Sequence, residues 1–369
     1  MKRTAEIAGA GFAGLTVAIE LARRGWTVSV HEQSDTLRAF GAGIFLWENG
    51  LQVLSELGLE EAVLARAHHA PGWEERTAAD EVLRRNDLPL PGGVRMITLT
   101  RQDLHTALLT AARDAGVGFR TGSPVIAAEP GGILVTRDGT RRAADLVVAA
   151  DGIRSAVRTS LDLLDDHTVF PFTVLRFLVP MDRVPDRSGR WRDYVGFWNH
   201  EARRRVLYVP CNADDLYLLL GALPGDPALE PPLDPRTWAE SFPPLREVFS
   251  ELPDRVRQDR YEAIRTTSWS AGRVALIGDA AHAMPPTIGQ GAGTAMLNAL
   301  NLARAVDTAA SAGDDLESAL KDWEAENRPM TEQTQRESVE IAGNLFPDTG
   351  HRRDWSEATL QVARNRPRG

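Results

Sequence analysis

The hexapeptide Gly9-Ala10-Gly11-Phe12-Ala13-Gly14 restricts what this chain can fold into more than any other feature. A short β-favouring run, Thr4 to Ala8, leads into it. Behind it, Phe12 to Arg24 repeats Leu15, Ile19 and Ala22 at helical spacing, and Gly25 stands at the usual C′ position. Trp26 to His31 alternates Trp26, Val28 and Val30 with Thr27, Ser29 and His31, as a strand does, and Glu32 closes it. Strand, glycine turn, helix, strand and terminal acid together seat a dinucleotide. The first glycine permits a tight turn, the second lets a pyrophosphate approach the backbone, and the third lets helix and strand pack closely. The helix N-terminus then presents N–H groups and partial positive charge to the phosphates. Glu32 is placed to accept from a ribose 2′-hydroxyl, and an acid in that position fits NAD or FAD rather than NADP. A glycine-rich turn without a ligand would not call for an acid at the end of the second strand.

The rest of the chain is organised around that unit. A second helix is expected from about Glu48 to Ala67, and residues 70–97, polar and proline-containing, read as an excursion from the first layer. Thr100 to Asp103 has the capping-box form ahead of Leu104, Leu108 and Ala111. Asp138-Gly139 marks a hairpin between Ile133–Arg137 and Thr140–Ala144, and Leu146 to Ala150 is a buried-type strand. From about 167 to 264 short β runs dominate: Val174–Pro180, Tyr194–Trp198, Val206–Val209 and Leu216–Ala222. The alternating pattern returns at Arg273–Ile277 and in a helix Gly291–Ala310, followed by helices near 315–342 and 354–364. The expected fold is α/β: a Rossmann-like, glutathione-reductase-type domain from residues 1–72, 98–166 and 265–345. A sheet-rich substrate domain from 73–97 and 167–264 is inserted into it, and 346–369 form a C-terminal helix and tail.

Composition narrows the function classes. A formal charge of −9 and a pI near 5.5 advertise no basic face for nucleic acid. A lone cysteine, Cys211, excludes a disulfide framework within the chain. Glu6 and Glu20 interrupt the apolar N-terminal stretch, no apolar run reaches the ~18 residues of a membrane span, and a cytoplasmic protein is expected. His68-His69 has no matching ligand pair and no Gly-x-Ser-x-Gly elbow occurs, so neither metal nor serine-nucleophile chemistry is expected. Monomer and dimer both stay open.

Two further clusters carry chemistry. One is Asp151-Gly152-Ile153-Arg154-Ser155-Ala156-Val157-Arg158; the other is Gly278-Asp279-Ala280-Ala281-His282 with Pro286 and Gly289-Gln290-Gly291, each following a strand. Together with the glycine fingerprint, in this order and spacing, they resemble the motifs of the single-component FAD-dependent aromatic monooxygenases, the para-hydroxybenzoate and salicylate hydroxylase family, over nearly the whole chain. The resemblance implies that Gly9, Gly11, Phe12, Ala13, Gly14 and Glu32 hold the ADP half of FAD. Arg38, Gly43 and Ile44 would line the flavin region, Arg101 would reach the pyrophosphate or ribityl chain, and Val125 would meet the adenine end. Asp151 and Arg158 would serve FAD and an incoming NADH or NADPH. Asp279, Gly289, Gly291, Ala292 and Gly293 would bind the ribityl and isoalloxazine, with Pro286 bordering the pocket. For Arg101 and Arg158 the alternative is a surface helix charge, for Asp279 a helix cap, and for His282 a structural hydrogen-bonder.

The family pattern has an Asn and an acid where this chain has Gly293 and Asn298. The form Gly-x-Ala-Met-x-Asn instead resembles the hydroxypyridine-carboxylate oxygenases, as do the segments around Gly43 and Arg205–Asn212. That subgroup implies that Arg205 and Tyr217 face the substrate, Tyr217 with a catalytic role, and that Trp73 borders the pocket; ordinary sheet residues are the alternative. The implied activity is NAD(P)H- and O2-dependent hydroxylation of a small electron-rich aromatic or hydroxypyridine ring through a flavin hydroperoxide. Ring opening, or flavin binding without turnover, are the other readings. A second glycine fingerprint is absent, which argues against a two-dinucleotide reductase, and no Trp-x-Trp-x-Ile-Pro segment supports halogenation.

Overall fold

The computed structural model describes residues 2–38, 42–184, 192–253, 256–346, 361–364 and 366–367. Thr4–Ala8 sits at the centre of a six-stranded sheet, paired in parallel with Thr27–His31 on one side and Leu146–Ala149 on the other. Val274–Leu276 extends the parallel set, Ser270–Ala271 closes it antiparallel, and Gly118–Arg120 forms the far edge. The helix Phe12–Arg23 is buried without interruption from Ala13 to Leu21, because sheet and neighbouring helices cover it on all sides. One of those neighbours is the helix Gly291–Ala312, which starts beside the sheet's glycine turn and stops at Gly313 in the left-handed conformation.

Thr100 caps the helix Arg101–Asp114 as expected, its Oγ accepting from Asp103 N at 3.0 Å, while the Asp103 carboxylate accepts from the Thr100 hydroxyl at 2.7 Å. The Asp138-Gly139 hairpin joins Ile133–Thr136 to Arg141–Ala143. The helix expected over 48–67 is instead two, Glu48–Glu56 and Glu60–Leu64, because Gly58 takes φ +68° between them and bonds back to Ser55. Of the C-terminal helix expected near 354–364, residues 354–360 lie outside the described set, and 361–363 are helical.

A seven-stranded sheet runs in the order Gln258–Thr266, Leu164–Pro180, Asp215–Ala222, Arg204–Pro210, Tyr194–Asn199, Gly72–Thr77 and Val82–Asp87. Two features of it were not legible. Leu164–Pro180 is one 17-residue strand that crosses residue 166, where the sequence puts a domain boundary, and its polar first half pairs with Gln258–Thr266. Charged residues there mask the strand pattern. Residues 227–251 supply short helices that cover one face of the sheet.

Alternation gives this sheet two apolar faces. Leu216, Leu218 and Leu220 point with Val206, Tyr208, Val195 and Phe197 toward Trp238, Phe242 and Phe249. The intervening residues Tyr217, Leu219, Val209, Tyr194 and Trp198 point the other way, into a cluster with Trp47, Trp73 and Tyr261. Trp238 closes the first face: it is fully buried and its Nε1 donates to Ala228 O at 3.0 Å. Trp238→Ala is expected to lower unfolding free energy by about 3–5 kcal/mol, read as a shift of the urea midpoint.

Candidate active site

The glycine turn shows why each glycine is there. Gly9 has φ +99°, and a Cβ on it would lie 2.3 Å from Ala150 O; a Cβ on Gly14 would lie 2.1 Å from Gly9 O. A Cβ on Gly11 would meet nothing within 4 Å, so that stretch of backbone is open to an approaching group. Glu32 braces the turn, accepting from Ala10 N at 3.1 Å through one carboxylate oxygen and from Ser34 N at 3.0 Å through the other. A cavity of about 210 Å³ lies here, walled by Ala10, Gly11, Phe12, Glu32, Leu37, Arg38, Arg101 and His105. His105 escaped the sequence reading, although it stands one helical turn after Arg101. Its Nε2 lies 3.0 Å from Ala10 O and is therefore the protonated nitrogen, while burial pushes its pKa down.

Gly11, Phe12 and Arg101 also wall a second cavity, of about 410 Å³. One side carries Ala13, Gly43, Ile44, Asp279, Pro286, Gly289, Gly291 and Ala292. The N-termini of Phe12–Arg23 and Gly291–Ala312 thus converge on one space, each presenting N–H groups with partial positive charge. Gly289 makes the turn before the second helix at φ +64°, and a Cβ there would come to 3.0 Å from Phe45 and 3.2 Å from Trp47 Nε1. Arg101 is held over the Phe12 ring at 4.9 Å and makes no side-chain hydrogen bond among the described residues. Burial opposes its charge and nearby Asp279 supports it; burial likewise raises the pKa of Asp279, against the pull of Arg101.

The seven-stranded sheet forms the opposite wall, and alternation selects which side chains reach it. Arg205 and Leu207 come from one strand, Tyr217 and Leu219 from the next, Arg176 and Tyr261 from the two beyond. Arg176 falls in the β run read over Val174–Pro180 and Tyr261 in no run that was named; neither stood out because the chain alone does not say that these strands border the cavity. Arg205 lies 4.5 Å above the Trp198 ring, and its buried Nε has no partner. Arg176 is oriented by Asp259 at 2.5 Å. Burial raises the pKa of Tyr217 and of Tyr261 above the ordinary phenol value, with the arginines pulling the other way, so both remain hydroxyl donors at neutral pH. Trp73 borders a narrower slot that adjoins this cavity beside Pro286 and Gly289.

Besides Gly9 and Gly14, which shape the turn itself, four of the expected site residues do not line these cavities. Gly293 packs the long helix close to Asn49, since a Cβ there would lie 2.8 Å from Asn49 Oδ1. Val125 begins the strand Val125–Glu129 and pairs with Thr136. Arg158 is buried and donates to Ala280 O at 2.9 Å and Ile153 O at 2.7 Å, fastening the two motif loops together. Asp151 accepts from Val157 N at 3.2 Å, its other oxygen has no partner, and burial raises its pKa.

His282 is a structural group: it is buried against Trp269, and Asn298 Nδ2 lies 3.1 Å from its Nε2. Burial pushes its pKa from 6.5 to about 4. The unfolded chain therefore takes up a proton that the folded one refuses, and stability falls as pH drops from 6.5 toward about 4. His282→Gln should flatten that limb by up to ~1.4 kcal/mol per pH unit in urea titrations.

FAD fits these residues. The open Gly11 backbone, the two helix N-termini and the Arg101 guanidinium, which has no hydrogen-bond acceptor among the described residues, are donors grouped along one continuous space, and Glu32 supplies an acceptor at its far end. Glu32→Arg should cut FAD affinity by about tenfold or more, with Glu32→Gln intermediate, measured by flavin titration of apoprotein. Among the described residues no group of His, Cys, Asp or Glu is arranged to hold a metal, and no helix is long and apolar enough to cross a membrane.

Comparison with known proteins agrees with this geometry. The family profile described as FAD binding domain matches residues 2–338. The 2-heptyl-3-hydroxy-4(1H)-quinolone synthase of Mycobacteroides abscessus is 40% identical over 98% of both chains. The 3-amino-4-hydroxybenzoate 2-monooxygenase of Streptomyces cremeus is 32% identical over 93% of this chain and 89% of its own. The crystal structure of 2-methyl-3-hydroxypyridine-5-carboxylic acid oxygenase superposes with a TM-score of 0.92 at 40% identity, covering 100% of this chain and 98% of the other. The chain therefore belongs to the FAD binding domain family and is an FAD-dependent monooxygenase that acts on aromatic rings.

Proposed function

We propose that the substrate is a nitrogen heteroaromatic ring of the hydroxypyridine or 4-quinolone class, hydroxylated at an electron-rich carbon. The observation that carries this reading is the wall opposite the converging helix N-termini, where Arg205, Arg176, Tyr217 and Tyr261 face the same 410 Å³ cavity. Support also comes from relatives named for a 4-quinolone and a hydroxypyridine, each 40% identical.

In this reading Gly9 to Gly14, Glu32 and Arg38 hold the ADP half of FAD, and Arg101 neutralises pyrophosphate charge. Asp279 accepts from ribityl hydroxyls, and the backbone from Gly289 to Ala292, with Gly43 and Ile44, borders the isoalloxazine. Asp151, Arg158, Val125 and Gly293 act at one remove, keeping these loops in place. Bound FAD supplies the chemistry that side chains lack, accepting hydride from NAD(P)H and activating O2.

The protein's own contribution is electrostatic. A ring oxygen or ring N–H gives up its proton more readily beside two guanidinium groups, and the anion has the higher electron density that oxygen transfer requires. Tyr217 and Tyr261, held protonated by burial, donate to that oxygen and orient the ring. Phe45, Leu207, Leu219 and Ile277 line the same cavity and keep water from the reacting carbon.

Arg205→Ala should lower kcat/KM by about ten- to hundredfold and divert NAD(P)H oxidation to hydrogen peroxide, with FAD content unchanged. Tyr217→Phe should mainly lower the coupled rate. The measurements are NAD(P)H consumption, peroxide and product mass across phenols, hydroxypyridines, 4-quinolones and their carboxylates. Wild-type coupling in both variants with the best substrate would remove these residues from the site, and a product without one added oxygen would overturn hydroxylation.

A further inference from the structure

The slot beside the ring cavity is unlike the rest of the site. Its volume is about 60 Å³, and it shares Phe45, Arg205 and Pro286 with the ring cavity, so the two connect at the end assigned above to the isoalloxazine. Beyond that mouth its walls are Trp47, Trp73, Met96 and Tyr194. Ring packing makes these walls stiff: Trp47 and Trp73 meet edge to face with centroids 6.3 Å apart, and Phe45 and Tyr194 do so at 5.2 Å. Their polar ends are turned to the backbone. Trp47 Nε1 donates to Ile288 O at 3.1 Å, and the Tyr194 hydroxyl donates to His68 O at 3.0 Å. Glu75 and Thr287 also border the slot, and the Glu74 carboxylate there is engaged by Arg76 and Arg85. The larger part of the lining is therefore aromatic faces and a thioether, which reward an apolar occupant over a polar one.

We infer that this slot is a specificity site for an unbranched aliphatic arm attached to the oxidised ring. A water-sized group needs ~10–15 Å³ of such space, so about four to six methylene-sized groups fill it. Arg205 stands at the junction, where its guanidinium meets the polar edge of the ring while its contact with Trp198 belongs to the slot. The inference rests on the reading that the ring occupies the larger cavity.

Gly196 provides a direct probe. It lies on the strand Tyr194–Asn199, and a Cβ there would come no nearer than 3.5 Å to any atom, its neighbours being Trp198, Glu74 O and Leu207. Gly196→Val therefore puts methyl groups into the slot with a residue that suits a strand. The test uses FAD-loaded enzyme and 2-alkyl-4-quinolones from methyl to nonyl. Binding is followed by tryptophan fluorescence and turnover by NAD(P)H oxidation. Kd should fall about fourfold per added methylene up to a four- to six-carbon arm and then level off. Gly196→Val should bind the methyl compound as the wild type does and lose about tenfold or more with the hexyl compound.

The wild-type series decides the question without the variant. A Kd that does not change with arm length overturns the slot even if every member is turned over. A length-dependent Kd without ring-dependent NAD(P)H oxidation keeps the slot and overturns the ring assignment instead.

Discussion

The alternation of side chains along the seven-stranded sheet is the constraint on which the site depends. Successive residues point to opposite faces, so a strand that must fill a core on one side presents the residues between to the other. Val206 and Tyr208 serve the core under Trp238, which leaves Arg205 and Leu207 to the cavity. The same rule sends Leu218 one way and Tyr217 and Leu219 the other. A one-residue slip of the strand Arg204–Pro210 would turn the Arg205 guanidinium into the hydrocarbon core under Trp238 and send Val206 and Tyr208 toward the cavity. The cost of burying an unpaired charge is what fixes the register, and with it the chemistry of the wall.

The opposite wall is built by a different economy. Backbone groups do most of the work there, so glycine and alanine are the useful residues and side chains are kept small. Two helices begin at the cavity, and Arg158 joins two neighbouring motif segments by bonding Ile153 O in one and Ala280 O in the other. A buried guanidinium with two carbonyl partners is well matched to this task, because it bridges several ångströms with planar, directional donors. Its place in a motif reflects the joint it makes between loops.

The parts of this arrangement that follow local rules were readable from the chain alone. The glycine fingerprint, the Thr100 cap, the Asp138-Gly139 hairpin and the alternating strands each depend on neighbours within a few residues, and their patterns survive in the sequence. Arg176, Tyr261 and His105 were not readable, because their roles arise from where distant strands and helices bring them. Leu164–Pro180 hid its character behind an exposed, charged first half, and Gly58 split a helix whose apolar spacing ran on through it. Arg158 was visible as a motif residue, but whether it faced a ligand or another loop depended on a turn more than a hundred residues away.

The interleaving of the chain has a consequence for assembly. The seven-stranded sheet takes its strands from residues near 72–87, 164–222 and 258–266, and the space between its face and the helix N-termini also needs residues 9–14 and 279–292. Contacts so far apart in sequence close large loops before they return any stabilisation, which places this chain among slow-folding topologies. A ligand touching both the first turn and the segment around Gly289 binds only when those distant parts have met. By mass action such a ligand at a hundredfold excess over its Kd adds about 2.7 kcal/mol to the folded state. The cofactor would then act as the last clasp of the fold as well as its reagent.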